Sequence, residues 1–87
     1  MADNIYTAQN DTLQVAVHRY PVDGVQVTVS IWDGGDFVTK FDKRVIADSL
    51  WEAMGTAMVQ GLDIEWEEAE AQLADWGIFP PEDDDEN

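Results

Sequence analysis

The sequence predicts an α+β fold, in which a three-stranded antiparallel meander is followed by two helices packed on one sheet face (βββαα). Apolar residues alternate with period two in 13–41, Gly-containing turns interrupt that stretch, and helical spacing takes over in 46–76. The 87-residue chain has no Cys and must fold on a modest apolar core. We expect a single domain at 13–79, an N-terminal segment 1–12 that forms either an edge strand or a short helical turn, and an acidic disordered tail at 80–87.

The three strands follow from alternation. In Leu13–Tyr20 and in Val25–Trp32, apolar residues occupy every second position and therefore lie on one face of the strand. Pro21–Gly24 supplies the turn between them, and the Asp-Gly-Gly-Asp sequence of Asp33–Asp36 supplies the next. Phe37–Phe41 is the third strand. Such a meander has one apolar face that another layer must cover.

Two helices are predicted to form that layer. Asp42 is a suitable N-cap for the first helix, and Gly61 is a suitable C-terminal stop. Asp63 is a suitable N-cap for the second, which Gly77 would end. The tryptophans of this half are expected to pack the sheet and helices together: Trp51, Trp66 and Trp76.

The charge balance excludes several classes of function. The chain has 19 Asp and Glu against 4 Lys and Arg, a formal net charge of −15. Four basic side chains cannot support binding to nucleic-acid phosphates, and anionic lipid is disfavoured for the same reason. No apolar run is long enough for a membrane span, and the N-terminus lacks the features of a secretory signal, so the expected location is the cytoplasm.

The residue inventory argues against an enzyme. His18 is the one histidine, no Cys nucleophile exists, and no glycine-rich phosphate loop is present. Paired carboxylates need a cleft that separates their pKa values, and so small a domain offers little room for one. Neither Asp33–Asp36 nor the acidic run 82–86 matches a calcium-binding loop. We therefore expect no catalytic residue, no metal site and no cofactor.

The acids are concentrated in the second half of the chain. Residues 1–44 hold six acids and all four bases, whereas residues 45–87 hold thirteen acids and no base. Solubility needs a net charge of only about 2 to 8 in a small domain. Capping and attraction to the helix dipole can explain acids only in the first turn of the second predicted helix, namely Asp63, Glu65 and Glu67.

Beyond the first turn, the acids of the second predicted helix have no folding role in the sequence pattern, and the acids on its outward side have no basic partner. Glu67, Glu68, Glu70 and Asp75 lack a Lys or Arg three or four residues away. Carboxylates about 5 to 6 Å apart along a helix are spaced on a scale comparable to DNA phosphates, which recur about every 3.4 Å per strand. The pattern therefore predicts a DNA mimic that binds a nucleic-acid-binding protein rather than the nucleic acid.

Two stretches carry a family resemblance, Asp33–Val38 and Glu65–Glu70. Over roughly residues 13–76, the order of elements resembles small acidic phage anti-CRISPR proteins, in particular those that occupy the PAM-reading site of type II RNA-guided nucleases. In that family the matching hairpin and the start of the last helix supply carboxylates that replace DNA phosphates and base edges. The resemblance implies contact residues at these positions: Asp33, Gly34, Asp36, Glu68 and Glu70.

The predicted interface combines the hairpin with the acidic helix face and meets the basic DNA-binding surface of a CRISPR effector. Its candidate residues are Trp32, Asp33, Gly34, Asp36, Glu65, Glu67, Glu68, Glu70 and Asp75. Trp32 is either an anchor for the partner or a packing residue of the sheet. One alternative is an adaptor whose Trp32, Ile78 and Phe79 bind an apolar groove. Another is an inhibitor of a different DNA-binding target, such as a type I CRISPR complex, a restriction enzyme or uracil-DNA glycosylase.

Overall fold

A computed structural model describes residues 4–19 and 23–81 and shows four strands followed by two helices. The elements are β1 (Asn4–Gln9), β2 (Leu13–Arg19), β3 (Val25–Trp32), β4 (Phe37–Val45), α1 (Leu50–Leu62) and α2 (Trp66–Asp75). The strands form one antiparallel sheet in the order β1-β2-β3-β4. The α+β prediction is confirmed, with four strands instead of three. Tyr20, the first half of the predicted Pro21–Gly24 turn and residues 82–87 of the predicted tail lie outside the described residues.

The additional strand, β1, occupies the segment that the sequence pattern left open. A register shift between Asn4 and Tyr6 breaks the alternation, so Ile5 interrupts the period-two pattern. Beyond the shift, Tyr6 pairs with Val17, and Ala8 is buried in the core. Residues 4–9 are therefore an edge strand and not a turn of helix.

The last strand is longer than predicted, and Asp42 does not cap a helix. Instead of ending at Phe41, β4 continues, and the Asp42 carboxylate accepts hydrogen bonds from Gln26 Nε2 at 2.6 Å and Thr28 Oγ1 at 3.2 Å. The pairing skips Lys40, which lies at a register shift in β4. Because of this extra residue, the alternation of inward and outward side chains changes phase within β4. The sequence pattern therefore does not show that the strand continues beyond Phe41.

The first helix begins later than predicted, with Ser49 as its N-cap. Ser49 Oγ accepts a hydrogen bond from the Glu52 N–H at 3.1 Å, and Glu52 Oε1 accepts one from the Asp48 N–H at 3.2 Å. This arrangement is a variant of the capping box, in which the side chain of the third helical residue reaches back to the preceding backbone. Glu52 is thus an acid with a defined role in folding.

The first helix also ends later than predicted. Gly61 lies inside α1, where a Cβ atom would come within 2.6 Å of Phe41 Cβ, so this glycine allows the helix to approach β4 closely. Asp63 is the C-cap of α1 in the left-handed region, with φ 58° and ψ 47°. The prediction that Asp63 opens the second helix was therefore wrong.

The second helix has a weak start and a well-defined end. Its N-cap is Glu65, whose side chain makes no capping hydrogen bond. At the other end, Gly77 has φ +83° and donates to the Ala74 carbonyl at 2.9 Å, while the Ile78 N–H donates to the Leu73 carbonyl at 2.8 Å. These bonds form a Schellman motif, which confirms Gly77 as the stop.

The core lies between the sheet and α1, and α2 packs on α1. The α1 helix contacts β2, β3 and β4, whereas the main contacts of α2 are with α1. Trp51 and Trp66 meet edge to face with ring centroids 5.3 Å apart, and Trp76 is half-buried against the core. The largest fully buried side chains are Met54, Met58, Leu73, Val15, Val17, Val27 and Val29. No helix of the described segments has the length and hydropathy needed to cross a membrane.

Candidate partner-binding surface

The Asp-Gly-Gly-Asp turn projects from the end of the β3–β4 hairpin. The Asp33 N–H donates to the Asp36 carbonyl at 2.8 Å, which closes the turn. Gly34 has φ +80°, a conformation that side chains rarely adopt, so a glycine is required here. Residues 33–36 are all exposed. The turn therefore presents two carboxylates on a hydrogen-bonded scaffold.

Trp32 precedes the turn and forms a cross-strand pair with Phe37 on the other side of it. The two rings meet edge to face, with centroids 5.3 Å apart and planes inclined by 71°. Trp32 is nevertheless 46% exposed, because no described helix packs on this face of the sheet. The indole thus packs against the ring of Phe37, as one interpretation expects, and its role as an anchor for a partner stays a prediction.

The second helix divides cleanly into a buried and an exposed side. Ala69 and Leu73 are completely buried. The outward residues are acids and alanines: Glu67, Glu68, Glu70, Ala71, Ala74 and Asp75. Glu65 is exposed just before the first turn. We call Glu65, Glu67, Glu68, Glu70 and Asp75 the α2 acids.

The α2 acids differ from Asp42 and Glu52 in having no partner among the residues that the structure describes. Asp42 and Glu52 accept hydrogen bonds that stabilise the sheet and the start of α1. In contrast, no hydrogen bond or ion pair within the described segments involves the side chain of an α2 acid. The helices also lack a basic residue in their last turns.

Two acids occupy positions that disfavour negative charge. Asp63 is the C-cap of α1, and Asp75 is the last residue of α2. The carbonyl end of a helix carries partial negative charge, so an acid there is unfavourable by about 0.3 to 1 kcal/mol. Asp63 and Asp75 therefore lower the stability of the helices at whose ends they lie.

The structure places the turn and the α2 acids on different layers. The turn lies at the same sheet end as the β1–β2 connection, because the Trp32 N–H donates to the Thr12 carbonyl at 2.8 Å. The α2 helix reaches that connection through Gln72 Oε1, which accepts from Asn10 Nδ2 at 3.3 Å. No hydrogen bond links the turn to the α2 acids within the described residues. The two groups of acids therefore belong to different elements, the β3–β4 turn and α2.

Sequence reasoning missed two residues of this surface. Phe37 was assigned only to a strand, although the residues flanking a tight hairpin turn are cross-strand neighbours, and that rule identifies it as the partner of Trp32. Asp63 was assigned a capping role at the wrong helix. Nothing in its local sequence distinguishes a left-handed C-cap from an N-cap, because Asp suits both positions.

Other chemistry is poorly supported by the described part of the chain. It contains no group of three or more His, Asp or Glu side chains that could hold a metal ion. An open, mainly apolar cavity of about 200 Å³ lies at the opposite end of the sheet, between Ile5, Val25 and the start of α1. Its polar lining residues, Asp48 and Ser49, take part in capping α1.

Neither protein-family models, nor curated proteins, nor solved structures yield a match to this chain.

Proposed function

We propose that this protein is a non-enzymatic DNA mimic that binds the basic DNA-binding surface of a host defence protein. The first candidate is an anti-CRISPR inhibitor that occupies the PAM and target-DNA site of a CRISPR effector in the bacterial cytoplasm. The observation that carries the proposal is the outward side of α2, whose acids are exposed, lack a partner within residues 4–19 and 23–81, and are accompanied by no base on the helix.

The energetics of the α2 acids support a role outside folding. Like charges three or four residues apart destabilise a helix by a few tenths of a kcal/mol each, and Glu67 and Glu70 have this spacing. Asp75 adds an unfavourable contact with the helix dipole. Substitution by neutral residues would remove these penalties without disturbing the core, since Ala69 and Leu73 alone are buried on α2.

The two acidic groups suit different parts of a DNA-binding groove. The α2 acids form an extended row on a rigid helix, which resembles a phosphate backbone. The Asp33–Asp36 turn is a narrow projection that can enter the space where a protein reads base edges. A partner with a positive groove would be attracted from a distance, and association would slow as salt screens the charges.

A competition assay tests the proposal. A type II effector loaded with guide RNA is mixed with a labelled DNA duplex that contains its PAM, and the acidic protein is titrated in at low and high salt. We expect displacement of the DNA and affinity that falls steeply as salt rises. Binding that neither competes with DNA nor depends on salt would refute the mimic.

Charge-matched variants separate a specific surface from net charge. Glu68→Gln with Glu70→Gln removes two charges from the α2 acids, and Asp11→Asn with Asp23→Asn removes two exposed charges from sheet connections. We expect the first pair to weaken competition by at least tenfold and the second pair to change it far less. Equal effects would show that net charge alone is responsible.

Exposed apolar residues favour an adaptor as the second candidate. Trp32 is 46% exposed and Phe79 is 64% exposed, whereas Ile78 is half-buried next to the core. An adaptor would bind an apolar groove with little salt dependence, and Phe79→Ser would abolish its binding. The competition assay, repeated with a type I complex, a restriction enzyme and uracil-DNA glycosylase, distinguishes other DNA-binding targets from the first candidate.

A further inference from the structure

We propose that the aromatic pair Trp32–Phe37 and the adjoining turn form a binding site for one arginine side chain of the partner. The inference rests on the proposed function for the identity of the partner and adds the side chain that is recognised and the role of the rings. It is carried by the exposed indole at the end of the open sheet face.

The aromatic pair is a pre-organised contact surface. Trp32 and Phe37 occupy paired positions on neighbouring strands, and their edge-to-face contact restrains both rings. A tryptophan that is already held in place loses little conformational entropy on binding. An indole that is almost half exposed gains most from a partner that covers it, and such tryptophans are frequent hot spots of interfaces.

The charges next to the rings select a cation. Asp33 directly follows Trp32, and Asp36 directly precedes Phe37, so an exposed carboxylate adjoins each ring residue in the chain. Within the described residues, neither carboxylate takes part in a side-chain hydrogen bond or ion pair. A cation placed on the indole would therefore meet two carboxylates without first having to break an ion pair within the described residues.

Arginine fits this combination better than lysine. A guanidinium is planar, stacks on aromatic faces and donates parallel hydrogen bonds to a carboxylate, whereas an ammonium is a compact and strongly hydrated charge. The stacked contact is also less sensitive to salt than the long-range attraction of the α2 acids. The structure thus assigns rapid association to the α2 acids and retention of the complex to the aromatic pair.

Nuclear magnetic resonance with two blocked tripeptides tests the site. The ¹⁵N-labelled protein is titrated at constant ionic strength with acetylated and amidated Gly-Arg-Gly, and separately with the equally charged Gly-Lys-Gly. We expect the arginine peptide to shift the Trp32 indole resonance and the Gly34 and Gly35 amides with higher affinity than the lysine peptide, by up to the roughly two- to fivefold that an exposed cation–π contact contributes, about 0.5 to 1 kcal/mol. Equal affinity, or shifts centred on α2, would overturn the inference.

Two variants assign the effect to the rings and to the carboxylates. Trp32→Leu keeps an apolar side chain but removes the aromatic face, and it should lower the affinity for the arginine peptide more than that for the lysine peptide, because the guanidinium stacks on the indole. Asp33→Asn with Asp36→Asn should weaken both peptides while the aromatic contact persists. Thermal unfolding of each variant checks that the sheet remains folded, and an unchanged peptide preference in Trp32→Leu would contradict a role for the indole.

The outcome is separable from that of the proposed function. If the arginine peptide binds as expected but no DNA-binding effector is inhibited, the function is wrong and the site remains. If an effector is inhibited but Trp32→Leu dissociates no faster from it, the site is wrong and the function remains.

Discussion

The two helices use their acids in opposite ways. In α1, Glu52 accepts a hydrogen bond from the backbone ahead of the helix, and Ser49 caps the first turn. In α2, Glu65 occupies the N-cap position without a capping bond, and no acid of its outward side has a partner among the described residues. The comparison shows that the start of α1 is capped and that of α2 is not, so that α2 depends on its buried side.

The dependence of α2 on packing explains how it can carry so much charge. A helix of ten residues is marginal by itself, and most helical stability in proteins comes from an amphipathic side that packs. Ala69, Leu73 and Trp66 supply that side. The outward positions are therefore free of folding constraints and available for recognition.

The largest expected effect is the loss of this packing. Leu73→Ala should lower the free energy of unfolding by about 2 to 5 kcal/mol, because it removes a fully buried side chain that joins α2 to the core. Urea unfolding followed by tryptophan fluorescence measures the change. Ile46→Ala, at a position 70% exposed, is the control and should alter stability by about 0.5 kcal/mol or less. Equal effects would show that α2 is not docked through Leu73.

A glycine inside α1 should be the next most sensitive position. A Cβ at Gly55 would lie 2.7 Å from the Trp66 ring, so Gly55→Ala should destabilise the protein by about 1 to 3 kcal/mol through overpacking. Helix propensity alone predicts the opposite, a gain of about 1 kcal/mol. Gly35→Ala serves as the control, since no atom lies within 4 Å of its added Cβ, and it should change stability little. A stabilised Gly55→Ala variant would mean that the two helices are not in close contact.

Asp42 shows where prediction from local sequence patterns fails. Uninterrupted alternation identified β2 and β3, and turn chemistry identified the Asp33–Asp36 hairpin, because these signals are local. Asp42 was taken for a helix cap because its hydrogen bonds to β3 are invisible without the sheet.

For the candidate site, the sequence identified which acids lack neighbouring bases, and the structure supplied their exposure. The hairpin rule applied to the sequence identifies Trp32 and Phe37 as cross-strand neighbours, but the sequence does not show the edge-to-face contact of their rings or that Asp63 ends a helix, because these depend on side-chain and backbone conformation.

The two helix starts should also differ in how much they contribute to stability, although by less than the packing effects above. Ser49→Ala should cost about 1 kcal/mol, because it removes the hydroxyl that accepts from the Glu52 N–H. Glu65→Ala at the start of α2 should cost clearly less, since its side chain makes no capping bond. Thermal unfolding of both variants in the same buffer measures the comparison. If the two variants were equally destabilised, Glu65 would have a folding role that its side-chain geometry does not show.

The smallest effects should have opposite signs at the two ends of α2. Asp75→Asn removes a charge that opposes the helix dipole and should raise the free energy of unfolding by about 0.3 to 1 kcal/mol, while Glu67→Gln in the first turn should lower it by a similar amount. Both differences should shrink in high salt, where exposed charges are screened.

In the DNA competition assay, however, both variants should bind more weakly, because both lose a charge of the proposed interface. For Asp75→Asn the predicted changes in stability and in DNA competition have opposite signs. A variant that is more stable yet inhibits less would separate the folding role of this acid from its recognition role. If Asp75→Asn were instead to gain in both measurements, Asp75 would have no place in the interface, and the contact would be confined to the acids nearer the start of the helix.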